Sequence, residues 1–208
     1  TTGVKGITKA NPSVNKQAGD ISQLDIEFVL RFNNGLSVVS VTPAELKALL
    51  EHGVSDWTPT STQGKFPQIA GVRFSFDHTQ PAGSRVRTIV VDDPDGAGPL
   101  TGPEVVYAQG AFTPAVAART YRMVTLGFLA GGGDGYPFAT LSAPNRVNLA
   151  PSSGNLFTTP GSEQNAFSSH MANRYPRSTP YGEADTAATA DTRIQNLSVR
   201  ADSLPQSN

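Results

Sequence analysis

The sequence predicts an α/β (α+β) fold, and three observations carry that expectation. A β-branched run, Leu-Ser-Val-Val-Ser-Val at residues 36–41, leads straight into Thr42-Pro43-Ala44-Glu45. The Thr42 hydroxyl can accept from the Glu45 amide and Pro43 suits a first helical position, so strand passes to helix at one residue. Two further apolar segments, residues 72–76 and 85–91, are joined by a Pro- and Gly-containing turn at 79–84, which predicts a hairpin. Late in the chain, Ser162 opens a helical stretch that runs to Arg174 and is ended by Pro176.

Taken in order, residues 1–20 are polar and hold Asn11-Pro12-Ser13 and Ala18-Gly19-Asp20, which predicts loop with room for a short early strand. Packing should begin near Ile21. Over residues 21–30, Ile21, Leu24, Phe28 and Val29 lie at helical spacing with Ile26 off the stripe, and Asp20 or Ser22 can cap the helix. Arg31-Phe32-Asn33-Asn34-Gly35 breaks it.

In the helix after Thr42, Leu46, Leu49 and Leu50 share a face, Val41 can staple onto Leu46, and Gly53 is expected to supply a left-handed stop. Residues 56–67 are a Thr/Ser/Gly/Pro excursion carrying the only tryptophan, Trp57. Side chains of 72–76 are expected to alternate outward and inward. Residues 92–99 form an acidic loop that could attract calcium, but they lack the liganding Glu of a calcium-binding hand, which weighs against a metal there.

Residues 121–126 read as a further strand that delivers the chain to Phe128 and a glycine run. Beyond Phe138, Ser, Pro, Asn and Thr dominate until Gly161. In the helix that follows, Ala166, Phe167 and His170 or Met171 fall on one face. Residues 184–208 either wrap the domain or reach toward a neighbour. The chain thus divides into a polar segment at 1–20, a domain at 21–140 and a polar extension at 141–208.

Composition bounds the chemistry. The chain has 208 residues, 38% of them hydrophobic, enough to bury roughly 70% of its unfolded surface. A net charge of −1 gives no electrostatic reason to expect nucleic acid or a membrane surface as partner. The absence of cysteine excludes disulfides, thiol nucleophiles and zinc knuckles. No apolar run approaches the length of a membrane span, and the N-terminus has no signal-peptide core. Beginning without Met, the chain is expected to be a processed or excised piece.

The stretch from Gly127 to Tyr136 reads Gly-Phe-Leu-Ala-Gly-Gly-Gly-Asp-Gly-Tyr. Two readings fit it. Glycine clusters most often mark tight turns, with Phe128 then in the core. The same residues also suit a nucleoside, with Phe128 as a flat face for the base and Asp134 as an acceptor for ribose hydroxyls.

Here the sequence is similar to a known family. Residues 18–22 (Ala-Gly-Asp-Ile-Ser), 30–35 (Leu-Arg-Phe-Asn-Asn-Gly), 42–51, 71–77 (Gly-Val-Arg-Phe-Ser-Phe-Asp), 81–86 and 128–136 resemble, in order and spacing, the C-terminal domain of secreted 5′-nucleotidases. The resemblance implies layered mixed sheets flanked by helices. It also implies that Phe32 and Phe128 stack on the nucleobase, Asn34 bonds the base edge, Asp134 binds the ribose, and backbone at Gly132 and Gly133 lines the pocket. The family's upstream arginine has no counterpart in Gly3-Val-Lys-Gly-Ile-Thr-Lys9, where Lys5 or Lys9 would have to stand in. Arg31 replaces the family's proline, and Asn33 its usual glycine.

Catalytic residues are not expected in this chain. His52, His78 and His170 form no HxH or DxH arrangement, no G-x-S-x-G elbow is present, and the glycine run lacks the Lys and Ser/Thr of a phosphate loop. The resemblance implies two divalent metal ions, held in an N-terminal metallophosphoesterase domain that this chain does not include, and no cofactor within it. It implies an exported parent, periplasmic or extracellular, that hydrolyses nucleotides, with this chain as its substrate-recognition part. Other expectations stay open: a non-catalytic surface module with a degenerate pocket, or the same domain in a cyclic-nucleotide phosphodiesterase, a nucleotide-sugar hydrolase or a general alkaline phosphatase.

Overall fold

The computed structural model describes residues 9–61, 63–92, 102–140, 146–184, 186–187 and 189–207. The lysine-bearing segment at 3–8 and the acidic loop from 93 to 99 lie outside them. The mixed α/β class holds, with helices and two sheets, in two compact units interleaved along the chain. The first takes residues 1–38, 124–130 and 147–184, and the second 39–123, 131–146 and 185–208.

In the first unit, α1 (Gln23–Val29) starts at Ser22 with a capping box closed by Asp25, whose carboxylate accepts from the Ser22 amide at 2.7 Å. Lys16 pairs with that carboxylate, and Arg177 with Asp20. The expected apolar stripe is corrected here. Ile26, the off-stripe residue, is 5% exposed, whereas Leu24 and Phe28 are 73% and 72% exposed. The reason is the partner. α1 packs on α4 (Glu163–Arg174), a mostly polar helix whose one buried residue is Gln164, with its Nε2 donating to the Leu30 carbonyl at 2.8 Å. The face anticipated on α4 is likewise not buried, since Ala166, Phe167 and His170 are exposed and Met171 is only half-buried.

Strand β1 (Leu36–Val41) alternates half-buried and buried positions. β7 (Val147–Asn148) joins it antiparallel, Ser37 opposite Asn148 and Val38 opposite Val147, and the sheet order is β6-β1-β7 with β6 at Tyr121–Leu126. The short helix α3 (Gly127–Ala130) follows β6 directly.

The second unit is built on α2 (Pro43–Val54) and a five-stranded sheet. The Thr42–Glu45 capping box is present with Pro43 in the first turn. Gly53 is not a left-handed stop. It lies inside α2, and the helix ends at Ser55 in right-handed conformation. A Cβ at Gly53 would come 2.8 Å from Pro67 Cδ and 2.9 Å from the Tyr136 hydroxyl, so glycine is there for close approach.

β2 (Val72–Phe76) and β3 (Val86–Val91) form the expected antiparallel hairpin. β2 does not alternate in burial, because Phe74, Ser75 and Phe76 are all buried. Both faces of the sheet are covered at that point. β4 (Glu104–Ala108) and β5 (Ala111–Phe112) turn at Gln109 and Gly110, both with positive φ (52° and 83°), the twist-matched geometry of a two-residue hairpin. Sequence reading gave no strand there.

β8 (Ile194–Asn196) lies parallel to β2 and completes the order β5-β4-β3-β2-β8. The last stretch of chain therefore wraps this unit. Asp202 accepts from the Ser75 and Thr88 hydroxyls at 2.6 and 2.7 Å, and Leu204 is buried with Val90, Val105 and Ala108. Among the described residues no helix is long and apolar enough to cross a membrane.

Candidate functional site

The first unit carries Phe32 and Asn34 on the turn after α1, where Asn33 and Asn34 are tied to later chain. Asn33 is buried with φ of 44°, a left-handed conformation that Asn tolerates better than most residues. Its side chain accepts from the Gln164 amide at 3.2 Å and donates to the Asn155 carbonyl at 2.9 Å, and Asn155 Nδ2 donates back to the Asn33 carbonyl at 3.0 Å. The Asn34 amide and Asn34 Nδ2 both donate to Glu163 Oε1, at 2.6 and 3.0 Å. With the turn held this way, Phe32 between its anchors is left 74% exposed.

Phe128 stands on α3, whose first residue meets the same turn. The Gly127 amide donates to the Gly35 carbonyl at 2.6 Å. Side chains would forbid this contact, because a Cβ at Gly127 would lie 2.9 Å from the Gly35 carbonyl oxygen and one at Gly35 would lie 2.0 Å from the Pro151 carbonyl oxygen. The segments bearing the two rings are thus adjacent in the first unit. Phe128 is 47% exposed, so the core reading of that ring is set aside. The Arg31 guanidinium sits 5.3 Å from the Phe32 ring centroid, a cation–π contact.

Gly132, Gly133 and Asp134 belong to the second unit. Gly132 and Gly135 have positive φ (94° and 73°), and Asp134 itself sits at φ 53°, ψ 21°. His52, near the C-terminus of α2, donates from Nε2 to the Asp134 carbonyl at 2.9 Å. Its ring meets Tyr136 edge-on at 4.7 Å. The Tyr136 hydroxyl donates to the Lys65 carbonyl at 2.7 Å, and burial first, then the Asp134 charge, pushes its pKa up to about 12. The loop is held through its backbone. The Asp134 carboxylate is exposed and makes no hydrogen bond among the described residues.

Sequence reading missed the partners that hold these segments. His52 shows only its helix-end position, which complements the dipole, and nothing local pairs Glu163, Gln164 or Asn155 with a turn more than a hundred residues earlier. Among the described residues no group of three His, Cys, Asp or Glu side chains could hold a metal ion, so the two metals implied for the family find no fit in them. The second unit also has a cavity of about 490 Å³ lined by Trp57, Phe66, Ile69, Phe76, Asp191 and Arg193 among others, and none of the predicted site residues lines it.

Comparison with known proteins gives a consistent result. Residues 4–141 match the family described as 5′-nucleotidase, C-terminal domain. Protein 5NUC of Lutzomyia longipalpis is 33% identical over 119 residues, 57% of this chain and 19% of that protein. Snake venom 5′-nucleotidase of Gloydius brevicauda is 28% identical over 138 residues, 66% of this chain and 20% of that protein. The solved 5′-nucleotidase precursor from Thermus thermophilus superposes with a TM-score of 0.58 and 29% identity, covering 92% of this chain and 30% of that one. The chain therefore spans less than a third of the length of these relatives. Because the family match takes in the greater part of its residues, the chain belongs to the 5′-nucleotidase C-terminal domain family.

Proposed function

We propose that this chain is the substrate-recognition domain of an exported 5′-nucleotidase-like phosphoesterase, binding the nucleoside part of a nucleotide. The observation that carries the reading is the pair of exposed rings, Phe32 and Phe128, on segments joined by the Gly127–Gly35 backbone bond. Exposed aromatic rings are costly to leave in water and suit base stacking, at about 1 to 3 kcal/mol per base. In this reading Asn34 meets the base edge and the exposed carboxylate of Asp134 accepts from ribose hydroxyls, at about 1.5 to 3 kcal/mol for a charged acceptor. Gly132 and Gly133 keep side chains out of the way. In this reading the segment 21–140 carries the binding residues, and the extension at 141–208 supports it through β7, α4 and β8.

Hydrolysis is assigned to a separate N-terminal metallophosphoesterase domain of the parent, where two divalent ions supply the nucleophile and stabilise oxyanion charge. No step of it runs through residues of this chain, which is inactive alone. That the relatives include a venom 5′-nucleotidase and a 5′-nucleotidase precursor supports a periplasmic or extracellular setting.

Calorimetric titration with adenosine and AMP tests the reading. Heat is expected, with Phe128→Ala and Phe32→Ala each weakening binding by about 1 to 3 kcal/mol while the melting temperature holds. A second reading, a surface module with a degenerate pocket, is favoured by Arg31, whose guanidinium already lies over Phe32. Silence at millimolar ligand selects that alternative.

A further inference from the structure

The Phe32 turn is shaped by chain that lies past the end of the family match at residue 141. Residues 161–163 run antiparallel to it. Gly35 bridges Ser162, the Leu36 amide donates to the Gly161 carbonyl at 2.8 Å, and the Glu163 amide donates to the Asn34 carbonyl at 2.9 Å. Into this frame Glu163 puts a carboxylate oxygen that takes both Asn34 donors, the backbone amide and Nδ2. A carboxylate only accepts, so the Asn34 side-chain amide has one permitted orientation, with Nδ2 toward Glu163. Its other end, Oδ1, takes no hydrogen bond among the described residues, and the residue is half-buried.

We infer that Glu163 is a positioning residue that fixes Asn34 as an acceptor, so that the turn selects bases presenting an N–H donor, such as an exocyclic amino group. The inference rests on the nucleoside reading above and adds to it the sense of the hydrogen bond. An asparagine free to flip could offer a donor or an acceptor and would discriminate little between base edges. Held by Glu163, it keeps one Nδ2–H committed there and turns its Oδ1 end away from Glu163 as the acceptor on offer.

The test compares adenosine with purine riboside, which stacks alike but lacks the amino group, by calorimetry on this chain. Wild type is expected to prefer adenosine by about 3- to 10-fold, the range of one neutral hydrogen bond. Glu163→Ala should bring the ratio close to 1 while purine riboside binding changes by less than about 2-fold, since stacking is untouched. Glu163→Gln, which keeps an acceptor at Oε1, should retain most of the preference. Glu163→Asp keeps an acid in the first turn of α4 but is a methylene too short to hold both donors, and should lose the preference. It serves if the alanine variant does not fold. A merely structural Glu163 would weaken both ligands together and leave the ratio alone.

An unchanged ratio in folded Glu163→Ala or Glu163→Asp overturns the inference and leaves the nucleoside reading standing. Equal wild-type affinity for both ligands does the same. Absence of binding by either ligand to wild type overturns both.

Discussion

A methyl group on Gly35 has nowhere to go. It would meet the carbonyl oxygens of Pro151 and Ala150 at 2.0 and 2.6 Å, both backbone atoms that cannot swing aside. Gly35→Ala should therefore destabilise the protein by about 3 kcal/mol, at the upper end of overpacking costs, as read by urea unfolding. Gly64→Ala is the control. Nothing lies within 4 Å of a Cβ there, and it should be neutral or slightly stabilising. In sequence Gly35 reads as a turn residue, whereas in the fold it bridges Ser162 and admits chain from more than a hundred positions away. Asn33 and Asp134 illustrate the same limit. Their residue types hint at left-handed backbone, while the partners that hold them there, Gln164 and Asn155 for one and His52 for the other, carry no local signature.

At the scale of elements, α2 shows what was legible and what was not. Its start follows from four adjacent residues, and Thr42→Ala should cost about 1 kcal/mol by loss of the cap. Its far end does not follow from Gly53, because a glycine near a helix terminus looks the same whether it stops the helix or lets a proline ring approach. Farther along α2, Glu51 is buried, and its carboxylate accepts from the amides of Arg85 and Val86 at 2.9 and 3.0 Å and from Lys47 at 2.7 Å. Those amides open β3, so a side chain on the helix sets where the strand begins. Glu51→Ala leaves them without their acceptor and should cost about 2 to 5 kcal/mol by thermal or chemical melting. In α1 the apolar spacing predicted the helix correctly and its buried face wrongly. Periodicity measures the angle between side chains, and the face turned inward is decided by the neighbour, here the polar helix α4.

For the molecule as a whole, the response to acid follows from carboxylates held below their usual pKa, Asp56, Asp77 and Asp191 together with two near the N-terminal side, Asp20 and Asp25. The Arg177 guanidinium holds the Asp20 pKa below its usual value. At Asp25 burial pushes upward, but hydrogen bonds from Lys16 and Ser22 outweigh it and the net shift is also downward. A depressed pKa in the folded state means that the stabilisation is complete above the unfolded value of about 3.9 and is lost as pH falls through the lower folded values. Melting temperature should therefore drop below about pH 4, and Asp25→Asn should remove part of that drop while lowering stability near pH 7. Wild type and variant melted at pH 7 and pH 3 decide it.

Truncation belongs to this scale too. A chain cut at residue 141 lacks β7, α4 and β8, exposes the β2 edge and uncovers Val90, Val105 and Ala108. It should show no cooperative melt. The α/β class was legible because strands and helices announce themselves within a dozen residues. Strand order was not, since β8 finds its place beside β2 by non-local pairing that no local pattern encodes.

That pairing has a consequence for biosynthesis. Phe74 lies opposite Ile194, so the edge of the larger sheet stays open until some 120 further codons have been translated, and the Asp202 acceptor for Ser75 and Thr88 emerges later still. Since a nascent chain cannot close contacts it has not yet received, this unit must remain incomplete on the ribosome and finish folding only as its last segment leaves the exit tunnel.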